Sequence, residues 1–544
     1  MSEQTTQNRQ KNSWVLLAGL LVAMLFAALD NTIVGTAMPR IVGELGGLAV
    51  MTWLTTAYML TSTAVVPIAG KLADMIGRKT VYVTGLVIFI AGSALCGMAD
   101  TMTQLIVYRG IQGIGGGVMM PMAMIIIGDI FTGEQRAKWQ GVFGAVFGLS
   151  SIVGPQVGGW IVDSLNWRWV FYINLPVGIL ATVLIFLGLK NRRVDGPIKL
   201  DIAGMFTMIA GVVSLLLSLT FGGKEYPWLS WQIIGLFALA VVFLAAFVRV
   251  ESRASEPILP LHLFRNKGFT VLNGIGFLMS IGMFGAIMFV PFFMQGIIGM
   301  SPSESGTNML PLMLSMMVTS ILGGRFVRKV GIRKQIMFGM VLMGIGFVLL
   351  SMMNLDTTKF VAAANLVVLG LGMGLVMPVI TLALQESFPK SELGVVTSSS
   401  QFFRQIGGTF GMTILGAVMN ARSANLLNEQ LVPKLEALPA QAHGIAQQLE
   451  GMIAQSPQGL YSMLLSPEAM AKIPASIQQT IVPTLQSTLV ETLSHVYLYG
   501  LAFIVLGIVL TFFIGTIKLS AAKGKAEQEE GTEIKAVANS VNTK

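Results

Sequence analysis

The sequence predicts an all-α integral membrane protein: two pseudo-symmetric six-helix bundles with two further helices inserted between them. Three observations carry that prediction. Apolar residues fall into blocks of roughly 18–25, the length a helix needs to cross about 30 Å of hydrocarbon. Basic residues gather in alternate connecting loops. One long stretch of the chain is repeated further on. Composition agrees, with 54% hydrophobic and 11% charged residues and a mean hydropathy of +0.74, where a soluble domain carries roughly a quarter charged residues. The strands of a membrane barrel would be shorter and would alternate apolar with polar, which these blocks do not.

Taken in order, about fourteen spans are expected, near 14–36, 50–70, 80–99, 104–128, 139–162, 168–189, 201–222, 231–249, 268–290, 305–326, 335–353, 359–386, 396–419 and 496–518. One set of loops holds Lys71, Arg78, Lys79, Arg136, Lys138, Lys190, Arg192, Arg193, Lys199, Arg249, Arg253, Arg265, Lys267, Arg328, Lys329, Arg333 and Lys334. The short loops on the other face hold little more than Arg40, Arg168, Lys224 and Lys359. Positive charge is retained on the cytoplasmic side, so both termini are expected in the cytoplasm of a cell that carries this protein in its plasma membrane. The formal charge of +9 is then a topology signal, not a nucleic-acid footprint. Cys96 is the only cysteine and excludes a disulfide framework. His262, His443 and His495 lie in loops or at a span's edge, which argues against a metal site or a histidine relay.

The repeat pairs "GIGGGVMMPMAMIIIGDIFT" (113–132) with "GLGMGLVMPVITLALQESFP" (370–389) without gaps. Gly113, Gly115, Gly117, Pro121 and Phe131 fall on Gly370, Gly372, Gly374, Pro378 and Phe388, and Asp129 falls on Glu386. A looser echo pairs "GKLADMIGRK" (70–79) with "GGRFVRKVGIRK" (323–334). Parallel repeats of this kind mark a transporter built from two like halves. The expected organisation is a polar tail (1–13), a first bundle (14–190), the inserted pair (201–249), a second bundle (268–519) and a polar tail (520–544). Within the second bundle, 420–495 is less apolar, with leucines and isoleucines at helical spacing. It is expected outside the membrane as a self-packed helical hairpin, or else as a cap over the exit route or a docking site for another protein.

"GKLADMIGRK" lies in the tight loop between the second and third spans. Gly70 and Gly77 permit a sharp turn and close helix approach, and Asp74, Arg78 and Lys79 set charges at the interface. This stretch resembles the G-x-L-A-D-x-x-G-R-K signature of the major facilitator superfamily. "LDNTIVGTAMP" (29–39) resembles the first-helix motif of its proton-driven drug exporters, with Gly35 where that motif has Asn. "LIVYRGIQGIGGG" (105–117) resembles the fourth-helix motif with its buried arginine, here Arg109. "GLSSIVGPQVGGWI" (148–161) resembles the fifth-helix antiporter motif, giving Gly148, Gly154, Pro155, Gly158 and Gly159 that role. Together with "WRWVFYINLPVGI" (167–179) and the span count, the resemblance is to the fourteen-span drug:proton antiporters. It implies their fold, alternating access and export in exchange for protons. Independently of any family, small residues four apart let a neighbouring helix approach closely in lipid, and Pro155 would bend the helix. Plain packing is the other reading of these glycines.

Asp30 interrupts an apolar run about six residues from the outer end of span one, roughly 9 Å deep. Arg109 enters span four at nearly the same depth. A lone charge there costs on the order of 2.5–3.5 kcal/mol on insertion scales and normally faces a partner or a cavity. The two are therefore expected as neighbours lining a central cavity, either as a structural ion pair or as the proton-coupling pair. A carboxyl group's hold on a proton rises when water is removed and falls beside a guanidinium, so a carboxylate whose surroundings change can load and release one. At the basic end, Asp74, Arg78, Lys79, Asp129 and Glu386 are expected to form a gate with Asp129 bonding Arg78, unless the acids are simply solvated. Arg404 would serve the same gate or reach to the surface.

The function expected is secondary active export of amphipathic small molecules such as drugs or dyes. Export of one specific metabolite or lipid-like compound is the alternative. Thirty-five methionines suit an adaptable pocket, for which Trp53, Tyr58 and Gln112 are candidate lining residues. No second acid lies deep in spans nine to fourteen, which favours neutral or singly charged substrates. No nucleophile–base pair, metal cluster or phosphate-binding loop appears, so neither an enzyme, a cofactor nor a metal is expected. The partners expected are the transported molecule, protons and lipid, with no nucleic acid and the chain acting as a monomer.

Overall fold

The computed structural model describes residues 2–47, 50–51, 53–131, 133–189, 200–223, 225–437, 443–455, 457–464, 473–515 and 517. The expected tail 520–544 lies outside them. Fourteen long helices follow in order: α1 Ser2–Leu45, α2 Trp53–Ile76, α3 Arg78–Gly97, α4 Met102–Ile130, α5 Gly133–Ser164, α6 Asn174–Gly188, α7 Ile202–Phe221, α8 Trp231–Glu251, α9 Lys267–Gly296, α10 Leu310–Val330, α11 Ile332–Ser351, α12 Lys359–Ser387, α13 Leu393–Gln430 and α14 Ala475–Thr511. Twelve spans among the described residues are long and apolar enough to cross a membrane. The remaining two positions are filled by α5 and α13, which are as long; α13 carries the polar run "SSSQFFRQ".

The repeat is present in the backbone. α4 and α12 each run 29 residues, carry Pro121 and Pro378 inside, and start on Thr101 and Thr358, whose side chains accept the N–H of Gln104 and Val361. Such caps satisfy a donor that the first turn leaves free. α3 and α11 each run 20 residues and begin after Gly77 and Gly331, at φ 95° and 86°. That left-handed region suits glycine, so both halves turn the chain at the same glycine. The glycine triplets also act alike. A Cβ at Gly113 or Gly117 would strike the backbone of Tyr58 or Ser62 on α2, and one at Gly115 the backbone of Phe89 on α3. Gly370 and Gly374 meet Leu312 and Met316 on α10, and Gly372 meets Gly339 on α11. In lipid, where apolar burial gives helices no reason to associate, such backbone contact holds them together.

The halves meet where α2 and α4 pack on α13 and where α5 packs on α10 and α12. The inserted pair lies at the side: α7 contacts α2 and α13, while α8 packs on α7 and is mostly exposed. The segment 420–495 is not a two-helix hairpin. α13 and α14 extend past the apolar region, and the short helices Val432–Glu436, His443–Gln455 and Pro457–Leu464 fold onto them. Leu435, Leu449, Ile453, Leu460 and Tyr461 are buried there, and Lys434 donates to Thr484 of α14 at 2.8 Å.

Candidate functional site

Two clusters of polar side chains stand out against this apolar frame, one inside the first half and one at the end that bears the basic loops. The first contains Asp30 and Arg109, each 1% exposed. Arg109 Nη1 lies 2.6 Å from Asp30 Oδ2. The other carboxylate oxygen accepts from Gln112 Nε2 and from Asn174 Nδ2, both at 2.8 Å. Ser93 Oγ accepts from the same two amides at 2.8 Å, and Gln112 Oε1 accepts from Arg109 Nη1 at 2.7 Å. Arg109 Nε reaches the carbonyl of Leu54 at 3.4 Å, and its guanidinium lies 4.4 Å from the centre of the Tyr58 ring. α1, α2, α3, α4 and α6 thus each contribute a group. The cluster holds one negative and one positive charge, each bonded to the other and to amides, which is the arrangement a buried charge requires.

The expected setting for this pair was a cavity between the halves. Instead the acid points into its own bundle and every partner named is from the first half. The candidate lining residues separate accordingly. Gln112 is fully buried and bonds the carboxylate, and Tyr58 is buried beneath Arg109. Trp53 packs against Phe221 of α7, with ring centres 5.1 Å apart. Tyr58 and Gln112 meet at Arg109, whereas the Trp53 ring faces α7. Cys96 is fully buried, its Sγ 3.7 Å from Gln112 Oε1.

The antiporter-motif glycines seat α5 against α1 next to this cluster. A Cβ at Gly154 would strike Thr32, and one at Gly158 would strike Thr36. Thr32 Oγ1 donates to the carbonyl of Ser150 at 3.2 Å across the same seam. Among the described residues nothing lies within 4 Å of where a Cβ at Gly159 or at Gly35 would be. The surroundings of Gly148 and Pro155 lie outside what is described.

At the basic end, Asp74 accepts the backbone N–H of Gly394 at 3.1 Å and of Val395 at 2.9 Å, at the start of α13. A carboxylate there meets free donors and the positive end of the helix dipole. Gly70 and Gly394 make this approach possible, since a Cβ on either would enter the backbone of the other. Arg78 Nη1 lies 2.5 Å from Asp74, and Arg78 Nε lies 3.1 Å from Asp129. Lys79 stands apart from this group, its Nζ 3.9 Å from the ring centre of Phe186 on α6. On the other side of the seam, Arg136 Nη1 pairs with Glu386 at 3.0 Å, both nearly buried, while its Nε donates to the carbonyl of Phe131 at 2.9 Å. Gln140 Nε2 donates to Gln385 Oε1 at 2.9 Å, and Gln385 Nε2 to the carbonyl of Met124 at 3.2 Å. The bonds of Asp74 to α13, Arg136 to Glu386, Gln140 to Gln385 and Gln385 to Met124 join first half to second.

Sequence reasoning missed Ser93, Asn174, Arg136, Gln140 and Gln385. The available signal was a polar residue inside an apolar run, as in "YINLP" for Asn174. At the far end Glu44, beyond the apolar part of α1, accepts from Trp167 Nε1 at 2.9 Å and pairs with Arg168 at 2.5 Å. The Arg168 guanidinium holds that carboxyl below the ordinary carboxylate range. Among the described residues no group of three His, Cys, Asp or Glu side chains could hold a metal.

Comparison with known proteins follows the same lines. A model described as Major Facilitator Superfamily matches residues 20–201 and 202–412. The chain is 64% identical over 535 residues, 98% of this chain and 99% of the relative, to the multidrug transporter protein MdtP of Bacillus subtilis. It is 37% identical to multidrug resistance protein 3 of the same organism, over 95% of this chain and 98% of that one. The human organic anion transporter MFSD10 shares the fold at a TM-score of 0.57 and 13% identity, covering 90% of this chain and 99% of that one. With matches along nearly its whole length and a bundle of membrane-crossing helices in two like halves, this multi-pass membrane protein belongs to the major facilitator superfamily of small-molecule transporters.

Proposed function

We propose that this protein is a proton-driven exporter of amphipathic small molecules, acting as a monomer in the lipid of the cell membrane with both termini in the cytoplasm, and that Asp30 is the group that takes up the proton. The observation that carries the reading is the closed cluster around Asp30, an acid well inside a membrane-crossing helix and bonded to a cation. Intramembrane acids are rare and mark ion or proton pathways. Protonation would abolish the charge that Arg109, Gln112 and Asn174 bind, so loading a proton and loosening α1 from α4 and α6 are one event. Release of the proton restores the bonds and draws the helices together. The multidrug transport named for the relatives supports the substrate class, and the basic loops support the orientation.

The bonds that join the halves gather at the basic end, so with that end cytoplasmic the conformer is closed toward the cytoplasm. Asp74 on α13, Arg78 on Asp129 and Arg136 on Glu386 serve as the inner gate. One proton entering down 100 mV supplies about 2.3 kcal/mol, equivalent to roughly a 40-fold gradient at 1.4 kcal/mol per decade.

The test is dye-dependent alkalinisation inside everted membrane vesicles that have been acidified by respiration. Wild type should release protons on addition of a transported dye. Asp30→Asn should abolish that release while the protein remains inserted. Continued export against a gradient by Asp30→Asn would remove Asp30 from the coupling role.

A further inference from the structure

The second half holds a buried cation that the cluster around Asp30 does not use. Arg404 lies on α13 about 16 Å along the helix from Leu393 at 1.5 Å per residue, deep in the bundle, and is 7% exposed. It neither reaches the surface nor joins the gate. Nη2 donates to Gln401 Oε1 at 2.5 Å, one turn back, and Nη1 reaches Thr381 Oγ1 of α12 at 3.4 Å. Its stem runs past Gly276 of α9, where a Cβ would stand 3.4 Å from Arg404 Cγ. Among the described residues no carboxylate lies within ion-pair distance of it. A guanidinium offers five N–H donors, so two bonds, one of them long, leave most of its capacity unmet. Arg109, at comparable burial in the first half, has Asp30.

Two further observations converge on the same place. Asn273 and Ser280 lie three residues before and four after Gly276, on the same stripe of α9, and Asn273 Oδ1 and Ser280 Oγ are both buried with no hydrogen-bond partner among the described residues. Gln401, which holds Arg404, donates its Nε2 to Met120 Sδ of α4 at 3.2 Å across the seam between the halves. The cation is therefore one hydrogen bond from the surface that parts when the halves separate. A buried charge in a span faces a partner or a pathway, and the partner a guanidinium fits best is a planar oxyanion, taken through two N–H groups at once.

We infer that Arg404 is a substrate-binding residue that anchors an oxyanion, so that the transported class includes amphipaths carrying one carboxylate or sulfonate on an apolar body. Ser280 has a hydroxyl donor not otherwise engaged for the same anion, and Asn273 Oδ1 is an acceptor not otherwise engaged for a hydroxyl or amide donor of the compound. The inference rests on the export reading and names a substrate class for it.

The test uses the purified full-length chain in detergent and two fluorescent probes differing by one charge, pyrenebutyrate and its methyl ester. Wild type should bind the carboxylate roughly tenfold more tightly than the ester. Arg404→Gln should erase that preference by weakening the carboxylate alone. Arg404→Lys, which keeps the charge without the fork, should restore part of it, and it decides the matter if Arg404→Gln does not give a monodisperse protein. Equal binding of the two probes by wild type, or equal loss of both in the variants, overturns the inference. Vesicle assays separate it from the export reading: proton release with a cationic dye but no discrimination between the probes keeps the exporter and loses the anion site. Discrimination without proton release does the reverse.

Discussion

Asp30 accepts three hydrogen bonds from three side chains on two other helices, and each donor is itself fixed by a second bond. Ser93 receives both amides, so Gln112 and Asn174 are held with their N–H groups toward the carboxylate. This arrangement assigns Asn174 a share in keeping the acid charged and buried. Asn174→Leu removes one donor to a charged acceptor, worth about 1.5–3 kcal/mol, without changing the size of the side chain much. The expected outcome is a lower midpoint of thermal unfolding for the purified protein. An unchanged midpoint would mean the carboxylate does not lean on α6. At Gly35, the departure from the first-helix motif of the drug exporters, a Cβ would meet nothing within 4 Å among the described residues, and the carboxylate's donors come from other helices.

Among the elements, α4 and α12 decide how tightly each half is drawn together. Both place one glycine stripe on the helix two before them and the middle glycine on the helix just before, so three helices meet backbone to backbone. Gly115→Ala would put a methyl group into the backbone of Phe89, and overpacking of this kind typically costs about 1–3 kcal/mol. Gly159→Ala, on α5 with open space around it, should be neutral to within about 0.5 kcal/mol apart from a gain in helix propensity of up to roughly 1 kcal/mol. Thermal unfolding of the two variants side by side measures the contrast, and equal stability would remove the packing role of Gly115. The fifth-helix motif splits in the same way. Gly154 and Gly158 bring α5 onto α1 beside the acid, whereas Gly159 does no such work.

For the molecule as a whole, the proposed export cycle makes the balance between two conformers depend on contacts at the basic end. Asp74 on the start of α13 combines two backbone hydrogen bonds with a helix dipole, worth up to about 2 kcal/mol when partly buried. Arg136 with Glu386 and Gln140 with Gln385 close the second seam. Asp74→Asn keeps the shape and removes the charge, so the population closed at the basic end should fall by a factor of roughly 5–30. A cysteine pair at Met120 and Gln401, residues in contact across the seam, reports that state through cross-linking by a short bifunctional reagent. The native thiol, Cys96, is fully buried, which keeps the background low. Cross-linking as fast in Asp74→Asn as in its parent would show that the acid does not hold the gate.

Length, hydropathy and repetition along the chain were enough to determine the number and order of the long helices, their equivalence between halves, and the common level at which Asp30 and Arg109 meet. These quantities are local: a helix advances 1.5 Å per residue whatever surrounds it, and a repeated glycine or proline is visible without a partner. The direction each side chain faces was not determined. Rotation of a helix about its axis is set by close packing with neighbours distant in the chain, and hydropathy carries almost no record of it in a helix that is apolar on every side. That is why Gln112 and Tyr58 were placed in a substrate pocket but belong to the acid's own cluster, and why Lys79 was grouped with a gate it does not join. It is also why Asn174 and Ser93 went unremarked and Arg136 was read only as a loop cation, since only tertiary contact turns a polar residue into the partner of a particular charge.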